Sequence, residues 1–137
     1  MECTFFMVKP DAVAAGYVEE IVKYLNRFDF KVVNRKQKIL TRKDVIFLCP
    51  MHISRDFFED LVAFLSSGPS ELFVLKRRSA TKFLNELVGR TDPKQNKGYS
   101  LRKRFGTDVR RNAVHSPNSE ENAIRELEYF FPEGVWY

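Results

Sequence analysis

The apolar residues of this chain recur with two different spacings, and the wider spacing predicts helices. In four stretches, residues 17–28, 57–65, 80–88 and 123–131, an apolar residue returns every three or four positions, which is the period of one helix face. Their apolar positions are Tyr17, Val18, Ile21, Val22, Leu25 and Phe28; Phe57, Phe58, Leu61, Val62 and Leu65; Ala80, Phe83, Leu84, Leu87 and Val88; and Ala123, Ile124, Leu127, Phe130 and Phe131. Gly68 with Pro69, Gly89 and Pro132 follow the last three stretches, so those helices are predicted to end there.

Four other stretches have the composition or alternation of β-strands. They are residues 3–8, which stop in a turn at Lys9-Pro10, and residues 30–40, 71–75 and 112–115. The predicted order is β-α-β-α-α-β-α, a loop, and β-α. Because a few strands alternate with helices, the sequence predicts an α+β fold, a ferredoxin-like split β-α-β sandwich. Its four-stranded antiparallel sheet is expected to be covered by helices on one side.

Two start signals and one long loop complete the secondary-structure prediction. Thr41 and Asp44 have the spacing of a capping box, which predicts a short helix from that point, and Asn118 with Glu121 predicts the start of the last helix. Residues 90–111 show no clear periodicity. A loop of about twenty residues within a compact domain is usually functional.

Length and composition narrow the class of protein. With 137 residues, 44% of them hydrophobic, the chain is expected to form a single domain, residues 1–137, with a core that needs no disulfides. The two cysteines, Cys3 and Cys49, form no CxxC pair. No signal peptide is recognised, and no apolar run approaches the ~20 residues of a membrane-spanning helix. We therefore expect a cytoplasmic protein with reduced thiols.

The positive charge of the chain is concentrated in the long loop. The overall excess is 23 − 18 = 5, but residues 94–111 hold seven basic residues and a single acid, Asp108. Such a segment attracts phosphate, either on a small molecule or on nucleic acid. A solvated basic surface is the alternative, and composition leaves both interpretations open.

A histidine follows the basic loop directly. His115 ends a short apolar run, and imidazole is a nucleophile at neutral pH when one ring nitrogen is unprotonated and a partner holds the other. Glu126, at the edge of the apolar face of the next helix, is a candidate partner. A lone histidine near a strand end is more often structural. The neighbouring basic loop favours chemistry, because phosphoryl transfer depends on positioning and on neutralised charge.

These segments together resemble the nucleoside diphosphate kinase family over residues 4–131. The resemblance rests on Val8-Lys9-Pro10-Asp11-Ala12-Val13, Ser67-Gly68-Pro69, Gly106-Thr107-Asp108, Arg111-Asn112-Ala113-Val114-His115 and Glu126. Lys-Pro-Asp alone is a weak signal. It becomes specific when combined with Asn-x-x-His and a glutamate eleven residues later, after a basic loop of the family's length.

The resemblance implies a ping-pong enzyme. His115 falls on the family's phosphorylated histidine, which takes the γ-phosphate of one nucleotide and passes it to another, and Glu126 falls on the carboxylate that orients the imidazole. Lys9 and Asn112 match the pair that contacts the ribose hydroxyls, and Lys9 also reaches the transferring phosphate.

The remaining family positions concern the phosphates, the base and the metal. Thr91 and Arg102 match phosphate-binding positions, and Phe57 matches the ring that stacks on the base, with Leu61 and Val109 completing the clamp. Stacking without hydrogen bonds to base edges implies broad nucleotide specificity. In the family, Mg²⁺ is bound through the nucleotide phosphates and has no protein ligands.

Several departures from the family pattern lie near the expected chemistry. Asn85 stands where the family usually places an arginine on the phosphates, and Cys49 stands where an active-site tyrosine is common. Pro117 replaces a serine that hydrogen-bonds the orienting glutamate. Gly98-Tyr99 and Arg104 also differ from the usual loop. The chain thus looks closer to a divergent, group II-like branch, which includes members with weak or no kinase activity.

Three functional hypotheses follow. The first is an active nucleoside diphosphate kinase, which the presence of His115, Glu126 and the other matched residues favours. The second is a weakly active or inactive nucleotide-binding or scaffold module of the same fold, motivated by Asn85, Cys49 and Pro117. The third is a nucleic-acid binder, motivated by the basic loop with Tyr99 and Phe105 in it, although no RNA-binding signature appears.

The resemblance also implies partners. Nucleoside di- and triphosphates are the expected substrates, and a homo-oligomer, either a hexamer or a tetramer of dimers, is the expected assembly. The aromatic C-terminal residues Trp136 and Tyr137 suit an intersubunit contact or packing on their own domain. We expect the protein to bind neither a membrane nor nucleic acid.

Overall fold

The computed structural model describes residues 1–134, and its centre is a sheet of four antiparallel strands. The strands are β1 (Glu2–Val8), β2 (Lys31–Lys38), β3 (Ser70–Arg77) and β4 (Val114–His115), in the spatial order β2-β3-β1-β4. The two central strands pair along their full length, from Glu2 opposite Arg77 to Val8 opposite Glu71. This is the predicted ferredoxin-like topology.

In the described part of the chain six α-helices connect the strands, and a seventh follows β4. They are α1 (Pro10–Ala14), α2 (Val18–Arg27), α3 (Arg42–Leu48), α4 (Phe58–Leu65), α5 (Ala80–Val88), α6 (Leu101–Phe105) and α7 (Glu120–Phe130). Short 3₁₀ turns cover Pro50–His52 and Pro93–Gln95. The capping box predicted at Thr41 is confirmed, because its hydroxyl accepts from the Asp44 amide while the Asp44 carboxylate accepts from the Thr41 amide.

The cap predicted at Asn118 is wrong by one residue. Ser119, which has extended backbone angles, is the N-cap of α7, and its hydroxyl accepts a hydrogen bond from the Asn122 amide at 3.1 Å. The Asn118 side chain instead accepts from the side-chain amide of Asn122. Serine and asparagine are about equally good N-caps, so the residue type alone does not decide between neighbouring positions.

Helices cover both faces of the sheet, so the prediction of a one-sided sandwich is wrong. Phe6 and Val8 face a core with side chains of α1, α2, α5 and α6, whereas Phe5 and Met7 face a second core with side chains of α3, α4 and α7. The central strands are apolar at consecutive positions, and such strands are buried on both sides. Consequently each side of β1 packs against helices, and the residues that follow it are held from both faces.

The segment predicted as a structureless loop contains ordered elements. Within residues 90–111 the Pro93–Gln95 turn and helix α6 occupy two short stretches. Gly89 ends α5 at φ = +88°, and a Cβ at this position would lie 2.2 Å from the side-chain oxygen of Asn96. Glycine is therefore required where this segment begins.

The first strand also leads into a helix that the sequence analysis missed. The expected turn at Lys9-Pro10 is the start of α1, with Pro10 in its first turn, where the missing amide hydrogen costs nothing. The C-terminal residues 135–137, including Trp136, lie outside the described residues. No described helix is both long and apolar enough to cross a membrane.

Candidate active site

His115 lies at the end of β4 and points toward a buried carboxylate. The strand pairs with β1 so that His115 lies opposite Met7, on the sheet face that α7 covers. Its Nε2 lies 2.8 Å from Oε1 of Glu126, which projects from the buried face of α7. The side chain of Glu126 is 4% exposed and that of His115 is 20% exposed, so the carboxylate is enclosed while the ring is open to a ligand.

This hydrogen bond selects one imidazole tautomer. A carboxylate only accepts hydrogen bonds, so in the neutral ring Nε2 carries the proton that is donated to Glu126, and Nδ1 keeps its lone pair. The ring is also packed near Phe5, with 6.1 Å between the ring centroids. In that neutral tautomer, Nδ1 of the packed ring has the lone pair needed to attack an electrophile.

One buried amide ties together four of the predicted site residues. The Asn112 side chain accepts from Lys9 Nζ at 2.8 Å and donates to the backbone carbonyls of Thr91 at 3.0 Å and Val109 at 3.1 Å. Asn112 is 2% exposed, so its amide is fixed by these three partners. The carbonyl of Thr91 makes this contact, and Thr91 is an exposed residue whose hydroxyl is not used in it.

Arg102 extends from α6 to the strand that carries His115. Its two terminal nitrogens donate to the carbonyls of Gly89 at 3.2 Å and Val114 at 3.0 Å. Burial lowers the pKa of Arg102 to about 10, so the guanidinium is still charged at neutral pH. Its Nε is buried without a partner among residues 1–134. The guanidinium therefore keeps its charge in a buried place with one donor unsatisfied.

The site is cationic and incompletely neutralised. Burial lowers the pKa of the Lys9 ammonium to about 8, and the charge of Arg102 acts in the same direction. A cation whose pKa is lowered by burial and by a neighbouring positive charge is stabilised when an anion binds beside it. The arrangement therefore fits a phosphate group better than a metal ion. In the described residues no group of three His, Cys, Asp or Glu could hold a metal ion.

Cys49 lies within this site and is neutral. Burial raises the pKa of its thiol, with smaller and opposite effects from the charges of Lys9 and Glu126, which places the sulfur near both. A protonated thiol is a weak nucleophile. Cys49 therefore does not compete with the imidazole.

The predicted base clamp lies on two separate elements. Phe57 and Leu61 are one helical turn apart at the start of α4, where the Leu61 amide donates to the Phe57 carbonyl at 2.9 Å. Val109 lies on the loop before β4 and is 59% exposed. Leu61 also packs against the core of the α7 face. The base clamp therefore stays a prediction.

Two residues that the sequence analysis did not single out surround Phe57. The His52 ring lies edge-on to Phe57 with 5.1 Å between centroids, and the Arg55 guanidinium lies 5.6 Å from the Phe57 centroid. The stretch before α4 shows no periodicity, so neither residue could be singled out from the sequence. Arg55 adds a positive charge, and His52 adds a second aromatic ring, beside the predicted stacking ring.

Asn85, like Phe57 and Leu61, has no described contact with the predicted nucleotide-binding residues around Asn112. It lies on α5 in the wall of a cavity of about 610 Å³ whose other lining residues include Glu86, Arg90 and Lys97. A second cavity of about 230 Å³ lies between Asn85, Lys82 and Asn118. Neither cavity is lined by His115, Lys9, Arg102 or Asn112. Basic side chains therefore flank Asn85, which itself carries no charge.

Comparison with known proteins finds relatives along almost the whole chain. A family model described as "Nucleoside diphosphate kinase" matches residues 2–135. The nucleoside diphosphate kinase of Syntrophotalea carbinolica is 38% identical over 131 residues, which is 96% of this chain and 96% of that protein. Nucleoside diphosphate kinase 2 of Protochlamydia amoebophila is 37% identical over 131 residues, covering 96% of this chain and 92% of the relative.

Solved structures are similar over the same length. The nucleoside diphosphate kinase of Aquifex aeolicus superposes with a TM-score of 0.91 at 32% identity and covers 99% of both chains. A halophilic nucleoside diphosphate kinase from Halobacterium salinarum, solved in complex with CDP, has a TM-score of 0.92 at 30% identity, covering 99% of this chain and 91% of the other.

Proposed function

Since this chain belongs to the nucleoside diphosphate kinase family, we propose that it moves the γ-phosphate of a nucleoside triphosphate to a nucleoside diphosphate through His115. The family assignment makes it a phosphotransferase that acts on nucleotides. The observation that carries the proposal is the 2.8 Å hydrogen bond between His115 Nε2 and the buried Glu126 carboxylate. It holds the imidazole in place, and Arg102 donates to the carbonyl of Val114, the residue just before His115.

The proposed reaction has two halves that share one intermediate. The Nδ1 lone pair forms a bond to the γ-phosphorus of the donor, and the bond from that phosphorus to the bridging oxygen breaks. The electron pair stays on the β-phosphate, and the diphosphate leaves. A second diphosphate then attacks phospho-His115 in the reverse sense. The Nε2 proton stays hydrogen-bonded to Glu126 throughout, so no net proton transfer is required.

The cationic residues are proposed to stabilise the charge that moves during transfer. Lys9 and Arg102 supply positive charge where the phosphate oxygens would lie, and such fixed charges act strongly in a partly dry site. Asn112 holds the Lys9 ammonium in place through the 2.8 Å hydrogen bond. The exposed Thr91 hydroxyl is proposed as a further phosphate contact, and Asn85, lacking charge, as a weak one.

The base is proposed to stack on Phe57, with Leu61 and Val109 closing the other side. These contacts do not read hydrogen-bonding groups of the base, which supports broad nucleotide specificity. We propose that Mg²⁺ enters as part of the nucleotide, held by phosphate oxygens, where it neutralises charge on the phosphates. This assignment fits a site whose polar groups around His115 are mainly cations.

The assembly and location are proposed from the family resemblance. We propose one domain over residues 1–137, a homo-oligomer (hexamer or tetramer of dimers) and a cytoplasmic location. Nucleic-acid binding is not proposed, because several basic groups of residues 94–111 already have internal partners. Arg111 forms a 2.7 Å ion pair with Asp108, and the Arg104 guanidinium lies 4.5 Å from the centroid of the Tyr24 ring.

The first prediction is exchange activity. With ATP, Mg²⁺ and a panel of nucleoside diphosphates, we expect every diphosphate to be phosphorylated, with kcat/KM differing by no more than about 100-fold between bases, as for a pocket that discriminates by apolar contact. A coupled assay measures it, and binding of the same nucleotides is followed by thermal stabilisation. Stabilisation without exchange would instead support the binding module that Asn85 and Pro117 suggest.

A second prediction concerns pH. Lys9 must be charged to bind phosphate, and its pKa in the free protein is about 8. Raising the pH through that value removes the positive charge of Lys9. Because kcat/KM reports groups of the free enzyme, kcat/KM is expected to fall above about pH 8. Bound phosphate favours the charged ammonium, so kcat is expected to fall only at higher pH.

The matched variant for this profile is Lys9→Arg, whose guanidinium stays charged over the range. Its activity at neutral pH is expected to be lower because the Asn112 contact changes, but the descending limb of kcat/KM is expected to move to higher pH. A limb that stays at the same pH in Lys9→Arg would assign the titration to another group.

A further inference from the structure

A strained three-residue turn lies between two residues of the proposed site. Ala113 has φ = +75°, although it is not glycine, and it is fully buried. The Val114 amide donates to the Asn112 carbonyl at 2.9 Å, which closes a γ-turn around Ala113. A γ-turn with positive φ at its centre is rare and strained for an L-residue, and it persists only where surrounding contacts enforce it.

The contacts that enforce the turn come from the start of α1. The Ala113 amide donates to Oδ2 of Asp11 at 3.1 Å, and the Ala113 carbonyl accepts from the Lys9 amide at 2.8 Å. Thus both polar groups of the strained residue are held by the segment that also supplies the Lys9 ammonium. Of these two contacts, only the one from Asp11 is made by a side chain, and the proposed chemistry does not use that side chain.

Asp11 is held where an ordinary surface carboxylate would not be. Burial raises its pKa, and the Ala113 amide and the charge of Lys9 oppose that shift. Its second oxygen, Oδ1, is buried without a partner within residues 1–134. Burying a carboxylate costs free energy, so this position needs a compensating role. The hydrogen bond to the turn before His115 indicates what that role is.

The turn sets the distance between the two halves of the site. Asn112, on one side of Ala113, fixes the Lys9 ammonium, and His115, two residues beyond Ala113, carries the nucleophile. If the turn relaxed toward an extended backbone, the strand would lengthen and His115 would shift relative to Lys9 and Glu126. A displacement of about 1 Å between reacting groups costs a rate factor of about 100.

We propose that Asp11 is a positioning residue for phosphoryl transfer: its carboxylate holds the γ-turn at Ala113 and thereby places His115 against the bound phosphate. This inference rests on the proposed function, but Asp11 has no described contact with His115 or Glu126. It acts through the backbone of Ala113.

The test compares Asp11→Asn with Asp11→Ala. Asparagine keeps a side-chain oxygen that can accept from the Ala113 amide, whereas alanine leaves that amide without an acceptor. We expect Asp11→Ala to lower kcat about 100-fold with nucleotide affinity changed less than about threefold, and Asp11→Asn to restore most of kcat. Glu20→Ala, which removes an exposed first-turn carboxylate from α2, is the matched control and is expected to leave kcat unchanged.

Two measurements on the unliganded variants separate this inference from the proposed function. Hydrogen exchange of the Ala113 amide reports the turn, and the ¹⁵N shifts of the His115 ring report its tautomer and contact with Glu126. We expect both to change in Asp11→Ala and neither in Asp11→Asn. Folded Asp11→Ala with unchanged ring shifts and wild-type kcat would overturn the inference. An inactive wild type would overturn the proposed function, and the ring shifts would still decide the role of Asp11.

Discussion

Replacement of His115 by alanine is expected to abolish phosphate exchange between nucleotides while leaving nucleotide binding nearly intact. The variant lacks the only group proposed to form the covalent intermediate, and removing a nucleophile from a covalent mechanism costs about 10⁴-fold or more in kcat. The side chain contributes little to binding, because the cations and the stacking ring are unchanged. The coupled exchange assay gives kcat, and nucleotide-dependent thermal stabilisation gives affinity.

The intermediate itself can be measured on the same variant. Incubation with γ-³²P-labelled ATP is expected to label the wild type in an acid-labile form and to leave His115→Ala unlabelled. The chain has two histidines, so His52→Ala is the matched control and is expected to keep the label. Equal labelling of the wild type and His115→Ala, or exchange by the variant, would show that another residue accepts the phosphate.

The regular elements were predictable because their signals are local. Helix α5 has the bounds that its apolar spacing predicted, and the Thr41 capping box begins α3 as expected. Helix α6 was missed because five residues are too short to show a helical period. The one-sided sandwich was wrong, because the continuous apolar runs of the two central strands indicate burial on both faces of the sheet.

The sequence predicts candidate site residues but not the contacts between them. The resemblance supplied Lys9 and Asn112 separately, while their hydrogen bond joins residues 103 positions apart. No local pattern encodes such a pairing, since it depends on how β4 docks against β1. Asp11 was visible only as part of a motif. Its contact with Ala113 depends on a positive φ that a sequence predicts for glycine and not for alanine.

Replacement of Glu126 by glutamine is expected to lower kcat by about 10²–10⁴-fold with little change in KM. The carboxylate can only accept, so it fixes the proton on Nε2. A glutamine amide can donate to Nε2 and move the proton to Nδ1, which then lacks the lone pair for attack, and similar loss of the correct tautomer costs about 10⁴ in other histidine enzymes. Among residues 1–134 the hydrogen bond to His115 is the one described on this carboxylate, and Pro117, which has no amide hydrogen or hydroxyl, cannot add another.

The matched control is Glu128→Gln, which makes the same change on the exposed face of the same helix and is expected to keep kcat. The ¹⁵N shifts of the His115 ring report the tautomer in each variant. Loss of kcat in Glu126→Gln together with a proton on Nδ1 would establish that Glu126 acts by selecting the tautomer. Loss of kcat with the proton still on Nε2 would mean that the negative charge itself stabilises the imidazole as phosphate transfers. A kcat within about threefold of the wild type would remove Glu126 from the mechanism, because loss of a tautomer-selecting group is expected to lower kcat far more than that.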